Sequence, residues 1–461
     1  MSTHRPDDGR SAGAEARSEA IAEEQRLEAA VETDDGRMAP TAVPPSAQSG
    51  QLYPERAGTE PLLQRILASE TMVAVLAVLL SLIVGGVLIA LTDEQVAAAS
   101  SYFFARPGDM LGAAWTAASQ AYAALFQGAV FNFEGETFAR MIYPLTQTLT
   151  VATPLICAGL GVTLAFRAGL FNIGAQGQII IGATLAAWVG FTWHLPVGLH
   201  LLLVILAGIF GGALWGSLVG LLKARTGAHE VIVTIMLNYI AIYLVGYLLT
   251  TPGFQRPGSS NPISPQLDDT ALYPPLFGDA FRLHWGFVVA VLATVFAWWL
   301  LNRSTIGFEL RAVGANPMAA RTAGIGVTKS YVVVMLVAGG LAGLAGVAQV
   351  AGTEGVLTAG VAASFGFDAI TVALLGRSTP WGTFVAALLF GAFRAGGVTM
   401  QTNTGTSIDI VLVVQSLIVL FIAAPPLIRS LFHLPEPGEV RPAKTGKSGK
   451  TGSPAATGGA V

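Results

Sequence analysis

The chain has 461 residues, of which 53% are hydrophobic and 11% charged, less than half the roughly 25% charged share of an average soluble protein. That balance excludes a soluble globular protein and indicates a polytopic membrane protein, while the net charge of −3 at pH 7 carries little meaning because the charges gather at the two ends. The single cysteine, Cys157, lies in an apolar segment and reads as a small buried hydrophobe, which excludes a disulfide framework or a Cys-based metal site within one chain.

Residues 1–68 are polar and acidic, with Glu23, Glu24, Glu28, Glu32, Asp34 and Asp35 close together and a Pro-containing run from Ala39 to Pro45. Such a segment lacks the apolar surface that would offset its ordering entropy, so it reads as a disordered cytoplasmic tail. No basic start followed by an apolar core appears in it, and it is not read as a signal peptide. One membrane domain, residues 69–430, follows. Its first span is Thr71 to Leu91, about 20 apolar residues, which matches a hydrocarbon core about 30 Å thick. Gln95 to Val130 is only moderately apolar and is expected to lie along the outer interface. Further spans are expected at Met141 to Phe166, Gln178 to Trp193, Pro196 to Leu222, Val231 to Leu249, Trp285 to Leu301, Tyr331 to Ala351, Leu357 to Leu375, Trp381 to Val398 and Ile408 to Ile428, about ten in all. Among the 54 glycines, Gly212, Gly216 and Gly220 recur every four residues, as do Gly339 and Gly343, and both runs read as tight helix contacts.

Lys and Arg near span ends favour the cytoplasmic side. With the N-terminus inside, strict alternation places Arg167, the Lys223/Arg225 loop, the Arg303 to Lys329 loop and Arg377 on that side, together with the basic C-terminal tail. The Pro-rich Thr251 to His284 loop falls outside, and Arg106 and Arg140 dilute the pattern. Residues 431–461, rich in Pro, Gly, Ser and Lys, read as a second disordered cytoplasmic tail. Its Gly446-Lys447-Ser448 and Gly449-Lys450-Thr451 lack the leading glycine and the flanking strand and helix of a phosphate-binding loop, so this chain is not expected to hydrolyse ATP.

Three stretches could carry function. Arg303 to Lys329 is a polar interlude between two apolar blocks, and within it Gly314 to Arg321 spells a short helix. Asn316 can cap that helix, Pro317 suits its first position, and Gly324 can take the left-handed conformation that stops it. About two turns of helix do not stand alone in water, so this one should dock against something. In Phe166 to Gln178, three glycines interleaved with Asn172, Gln176 and Gln178 suggest irregular backbone. Near a membrane such backbone is tolerated only where it is buried in protein or lines a watery cavity, although a plain turn at the inner face explains it equally well. Thr353 to Gly376 is broken by Gly355, Gly360, Gly366 and Asp368, and Asp368 stands where a half-helix would begin. Broken spans in both halves point to a binding site in transporters built from inverted repeats; the alternative is that Asp368 merely caps a helix.

Polar residues inside spans complete the candidates: Asn238, Tyr239, Arg394 and Gln415. An Arg at a helix centre costs roughly 2.5 to 3.5 kcal/mol, so Arg394 should face a cavity or a partner unless it snorkels to the outer surface. Glu230, beside His229, is expected to meet the inner-face loops. The six histidines are scattered, no HExxH or GxSxG is present and the core carboxylates are far apart, so no constellation for catalysis emerges.

Four stretches, in order, resemble the membrane permeases of ATP-binding cassette (ABC) importers. They are Phe166 to Gln178, His229 to Ile240, Leu310 to Pro317 with Ala319-Ala320-Arg321, and Gly366-Phe367-Asp368-Ala369-Ile370 with Val372 to Gly376. The likeness is to the branched-chain amino acid and monosaccharide permease superfamily, most closely its nucleoside or simple-sugar branch, and it covers roughly residues 70–430, with the tails and the Gln95 to Val130 insertion outside it. It implies an all-α fold of about ten membrane helices in two inverted four-helix halves. It also implies a non-catalytic subunit of a bacterial plasma-membrane importer with both termini cytoplasmic. The implied partners are a second homologous permease subunit, a cytoplasmic ATPase carrying the ATP and Mg, and an extracytoplasmic substrate-binding (lipo)protein. No cofactor or metal on this chain and no nucleic acid partner is implied. The resemblance further implies that Gly314, Ala315, Asn316, Pro317, Ala320 and Arg321 belong to a coupling helix seated in the ATPase. Gln176 stands where the nucleoside branch often carries Glu.

The expected pathway residues are Phe171, Asn172, Gln176, Gln178, Asn238, Tyr239, Asp368 and Arg394. Nucleosides are the expected cargo and simple sugars the next, with Phe171 or Tyr239 available to stack on a base. An ion-coupled secondary transporter is the rival from another class; it would want a carboxylate or His relay through the membrane, for which only Asp368 is a candidate.

Overall fold

A computed structural model describes residues 70–278 and 280–432. The acidic segment 1–68 and the tail from 433 onward, both expected to be disordered, lie outside the described residues. Among the described residues the fold is all-α, with only two isolated bridges, Ile263 with Thr358 and Pro275 with His284. The helices are α1 (Glu70–Thr92), α2 (Glu94–Ser100), α3 (Pro107–Ala129), α4 (Phe138–Arg167), α5 (Ala175–Thr192), α6 (Leu199–Thr226), α7 (Glu230–Leu248), α8 (Gly286–Arg303), α9 (Thr305–Ala315), α10 (Pro317–Thr322), α11 (Val327–Val347), α12 (Phe365–Leu375), α13 (Pro380–Thr404), α14 (Ile408–Ala423) and α15 (Pro425–Leu431). A π-helical turn, Ala348–Glu354, extends α11.

Among the described residues seven helices, α1, α4, α6, α7, α8, α11 and α13, are long and apolar enough to cross a membrane. This is a polytopic membrane protein. Three of the expected spans fall short for identifiable reasons. α5 opens on the polar Gln176 and Gln178. The stretch from Leu357 is helical only over the 11 residues of α12, because its first half turns through Gly360 and the left-handed Ala363 (φ 38°). The stretch from Ile408 stops at Ala423, and the adjacent Pro425 and Pro426 open the separate helix α15 because proline has no N–H to continue the ladder.

Gln95 to Val130 departs from expectation more fully. Rather than lying along an interface, its second part forms the 23-residue helix α3, which packs against α1 and α13. The Tyr122 hydroxyl donates to the carbonyl of Leu82 on α1, and Ala121, Ala124 and Gly128 are buried. The small residues Ala117, Ala121, Ala124 and Gly128 recur at helical spacing and would have marked this face.

At the centre, α4 is buried on nearly all sides despite Pro144 and Pro154 within it. It packs against α11 and α13, and a methyl on Gly161 would strike the Ala338 carbonyl oxygen. The expected glycine contacts join α6 to α11: a methyl on Gly212 would meet the Gly339 carbonyl oxygen, and one on Gly216 the Met335 carbonyl oxygen. The two backbones touch with no side chain between them.

One end of the bundle gathers the Arg167 turn, α9, α10 and the Gly376–Thr379 corner; there the Lys223–Glu230 ion pair (2.6 Å) ties α6 to α7. At the opposite end the 251–285 connection is pinned down by backbone bonds from Leu267 to Gly355 (3.0 Å) and from Tyr273 to Ala351 (2.9 Å). His284 closes that connection, its Nδ1 accepting from the Gly286 amide (3.1 Å) and its ring stacked on Tyr273 (5.4 Å). Burial holds the His284 imidazole down at about 4, since desolvation penalises its charged form.

Candidate functional site

Between α4 and α5 the chain runs through Ala168 to Gly174 without helix, turning at the left-handed Gly169 (φ 74°). Backbone that leaves a helix inside a bundle must find other partners, and three amide side chains supply them. Asn172 Oδ1 accepts from the Gly174 amide at 3.0 Å, and the Asn172 and Gln178 amides pair reciprocally at 3.2 and 3.3 Å. From α7, Asn238 Oδ1 accepts from the Gly177 amide (2.8 Å) and its Nδ2 donates to the Ile173 carbonyl (2.9 Å). All three side chains are buried. They hold an irregular stretch in shape.

Gln176 does something different. Its Nε2 donates to the Ala363 carbonyl at 2.7 Å while its Oε1 accepts from the Gly366 amide at 2.9 Å. One side chain on α5 therefore joins the broken stretch before α5 to the broken stretch before α12. A carboxylate could accept from Gly366 but could not donate to Ala363, so glutamine suits this junction where glutamate would leave a carbonyl facing a carboxylate. Gly366 must be glycine here, because a methyl would run into the Gln176 backbone.

Two residues further along α12, Asp368 Oδ2 meets the Arg394 guanidinium of α13 at 3.2 Å, with both side chains about one-fifth exposed (20% and 22%). Ser364 Oγ donates to the same carboxylate oxygen (3.1 Å) and itself accepts from Arg394. The guanidinium carbon also lies 4.6 Å from the Phe365 ring centroid, within cation–π range. This bears on the cap and on snorkelling, not on a binding role. Asp368 binds a partner helix instead of capping its own, and Arg394 is paired inside the bundle instead of snorkelling outward.

At the end of the bundle that carries Arg167, Asn316 Oδ1 accepts from the amides of Met318 (3.0 Å) and Ala319 (3.1 Å), and Pro317 starts α10. Gly324 is left-handed (φ 82°) beyond the helix end. Gly314 and Ala315, expected in the same short helix, instead end α9, which has its own cap where Ser304 Oγ accepts from the Gly307 amide (2.9 Å). Gly314 faces inward, since a methyl there would strike the Arg167 carbonyl oxygen. Ala320 packs inward with Val313 and Val327. Ala315, Asn316, Pro317, Met318 and Arg321 are exposed.

Residues 145–423 match the family described as branched-chain amino acid transport system / permease component, a region holding both broken stretches, α9 and α10. The chain belongs to that permease family. It is 40% identical over 289 residues to the guanosine ABC transporter permease protein NupP of Bacillus subtilis, covering 62% of this chain and 83% of that protein. It is 37% identical over 290 residues to the glucose ABC transporter permease protein TsgB13 of Haloferax volcanii, covering 61% and 76%. It is 34% identical over 293 residues to the nucleoside ABC transporter permease protein NupB of Lactococcus lactis, covering 60% and 78%. No solved structure matches it.

Of the permease residues singled out in the sequence, the fold brings Asn172, Gln178 and Asn238 together around the stretch before α5, and links Gln176 through the start of α12 to Asp368 and Arg394. It leaves two apart. Phe171 is half-exposed and stacks on Phe166 (5.0 Å). Tyr239 is exposed on α7, as is Tyr243 one turn further on, whereas its neighbour Asn238 is buried. Ser364 and Phe365 escaped the sequence reading, although a hydroxyl four residues before an acidic residue on a helix was available as a signal.

Proposed function

We propose that this permease carries nucleosides across the membrane in an ATP-driven importer, with α10 docked on a cytoplasmic ATPase and the Gln176 junction in the transport path. The observation that carries this reading is α10 itself. It is capped at its start and stopped by a left-handed glycine, yet it turns Asn316, Pro317, Met318 and Arg321 to the surface. A six-residue helix so fully specified on its own side, with a bare outer face, suits a fixed knob in a partner's groove. Arg321 supplies it with charge.

In this reading the chain works with a second permease subunit and an extracytoplasmic binding protein. Both termini and the Arg167 end are cytoplasmic, following the Lys and Arg distribution. The guanosine and nucleoside relatives support nucleoside cargo, and exposed Phe171 and Tyr239 offer aromatic surface for a base. The glucose relative supports simple sugars as a second reading. An ion-coupled mechanism loses its one candidate carboxylate, because Asp368 is already bound to Arg394 and Ser364.

Proteoliposomes holding the permease with its partner ATPase and binding protein should take up labelled guanosine in an ATP-dependent manner. Uptake driven by an ion gradient without ATP would overturn the importer reading. Melting shifts of the partner binding protein with guanosine against glucose separate the two cargoes.

A further inference from the structure

Three membrane-crossing helices begin or end around one small pocket: α4 closes with Arg167, α8 contributes Trp298 and Asn302 from its last two turns, and α13 contributes its cap Thr379 and Trp381 from its first turn. Arg311, reaching in from α9, completes the wall. The cavity measures about 130 Å³, below the range of about 300 to 1,000 Å³ for whole small-molecule sites. It fits a phosphate-sized group and is too small for a nucleoside.

The lining favours an anion. Arg167 donates Nε to the Ser378 carbonyl at 2.7 Å, which fixes its guanidinium while its two terminal amino groups keep no protein partner among the described residues. Arg311 has no hydrogen bond or ion pair among them. Two arginines with unfilled donors line one cavity, and arginine is the side chain suited to phosphate oxygens. The pocket also faces the start of the 25-residue helix α13, whose dipole adds partial positive charge. Trp298 and Trp381 are partly exposed (37% and 45%), as indoles are where membrane helices meet water. A free anion needs no such aromatic rim, whereas a lipid headgroup meets one where indoles line the membrane–water interface.

We propose that this pocket binds the phosphate of an anionic phospholipid, clamping α9 to the end of α4 through Arg311 and Arg167. The proposal requires only that the chain cross a membrane and is independent of its cargo and its ATPase. It makes the position of α9, and of α10 after it, depend on the surrounding lipid.

The test uses the full-length chain in nanodiscs of pure phosphatidylcholine and of an equal mixture with phosphatidylglycerol, with retained lipid counted by mass spectrometry and melting followed in parallel. The wild type should retain phosphatidylglycerol selectively and melt higher in its presence. Arg311→Gln should weaken phosphatidylglycerol binding about tenfold, equivalent to about 1.4 kcal/mol, and Arg311→Lys should keep part of it. Should Arg311→Gln fail to insert, Trp381→Leu leaves both arginines in place and should also bind phosphatidylglycerol more weakly than wild type. Equal retention of the two lipids overturns the proposal, as does wild-type binding by Arg311→Gln, or by Trp381→Leu where that variant carries the test. Inorganic phosphate that competes in detergent as well as the lipid does would assign the pocket to a free anion instead.

Discussion

The Gln176 junction and the α9–α10 loop are both polar interruptions in an apolar chain, yet they solve opposite problems. At the junction every amide named above finds its partner inside the chain, within the stretch before α5 or across the bundle, and the side chains are buried. At the loop the internal partners are only caps, and the remaining polar surface faces out. A satisfied interior region is held by the fold, so changing it should first damage stability. An exposed, preformed region is held for something else, so changing it should damage function and leave stability alone.

The largest expected effect is from Arg394→Leu. It leaves the Asp368 carboxylate with only Ser364 and should lower stability by about 3 kcal/mol, the low end of the penalty for breaking a buried pair, because both side chains keep about one-fifth of their surface exposed. The double variant Asp368→Leu with Arg394→Leu should recover much of the loss in a denaturation series, and full additivity of the two single losses would deny the pairing.

Next in size is the acid response of His284. With its folded value near 4 and an unfolded value near 6.5, the unfolded state binds the extra proton first. Stability should therefore be flat above about pH 6.5 and fall as pH drops toward 4, by about 3 kcal/mol in all. His284→Gln should flatten that window in melting curves taken against pH.

Gln176→Leu leaves the Ala363 carbonyl and the Gly366 amide without partners and should destabilise by about 2 kcal/mol or more. Gln176→Glu keeps the acceptor for Gly366 but sets a buried carboxylate against the Ala363 carbonyl, so it should cost at least as much at neutral pH and less at acid pH, where the protonated carboxyl can donate. A glutamate variant whose stability loss is the same at both pH values would break the assignment of donor and acceptor.

The smallest stability effect belongs to Arg321→Glu, within about 0.5 kcal/mol for an exposed site, with normal membrane insertion but impaired ATP-coupled uptake. Normal uptake by that variant would count against Arg321 as a coupling contact, and a large loss of stability would erase the contrast between the two regions.

What could be read from the sequence follows the range of each interaction. The cap of α10 was legible because Asn316, Pro317 and Gly324 act on neighbours within a few residues, and the α6–α11 contact because glycines four apart mark one helix face. The Pro425-Pro426 break was equally local and was available in the letters. The role of Gln176 was not, because its partners lie 187 and 190 residues away and no local pattern states which carbonyl it will meet. Asn172, Gln178 and Asn238 were recognised as polar residues in an apolar setting, but only their pairing shows that they brace backbone. α3 was overlooked because its packing face is built from alanine and glycine, which raise apolarity little while allowing helices to approach closely.

The bare contact of α6 with α11 has a mechanical consequence. Where long side chains separate two helices, a push on one can be absorbed by rotamer changes before it reaches the other. Gly212 against Gly339 leaves no such cushion, so the pair behaves as a single stiff beam. α11 starts just beyond α10, which places the foot of that beam beside the exposed knob. A displacement of α11 along that contact would have to carry α6 with it.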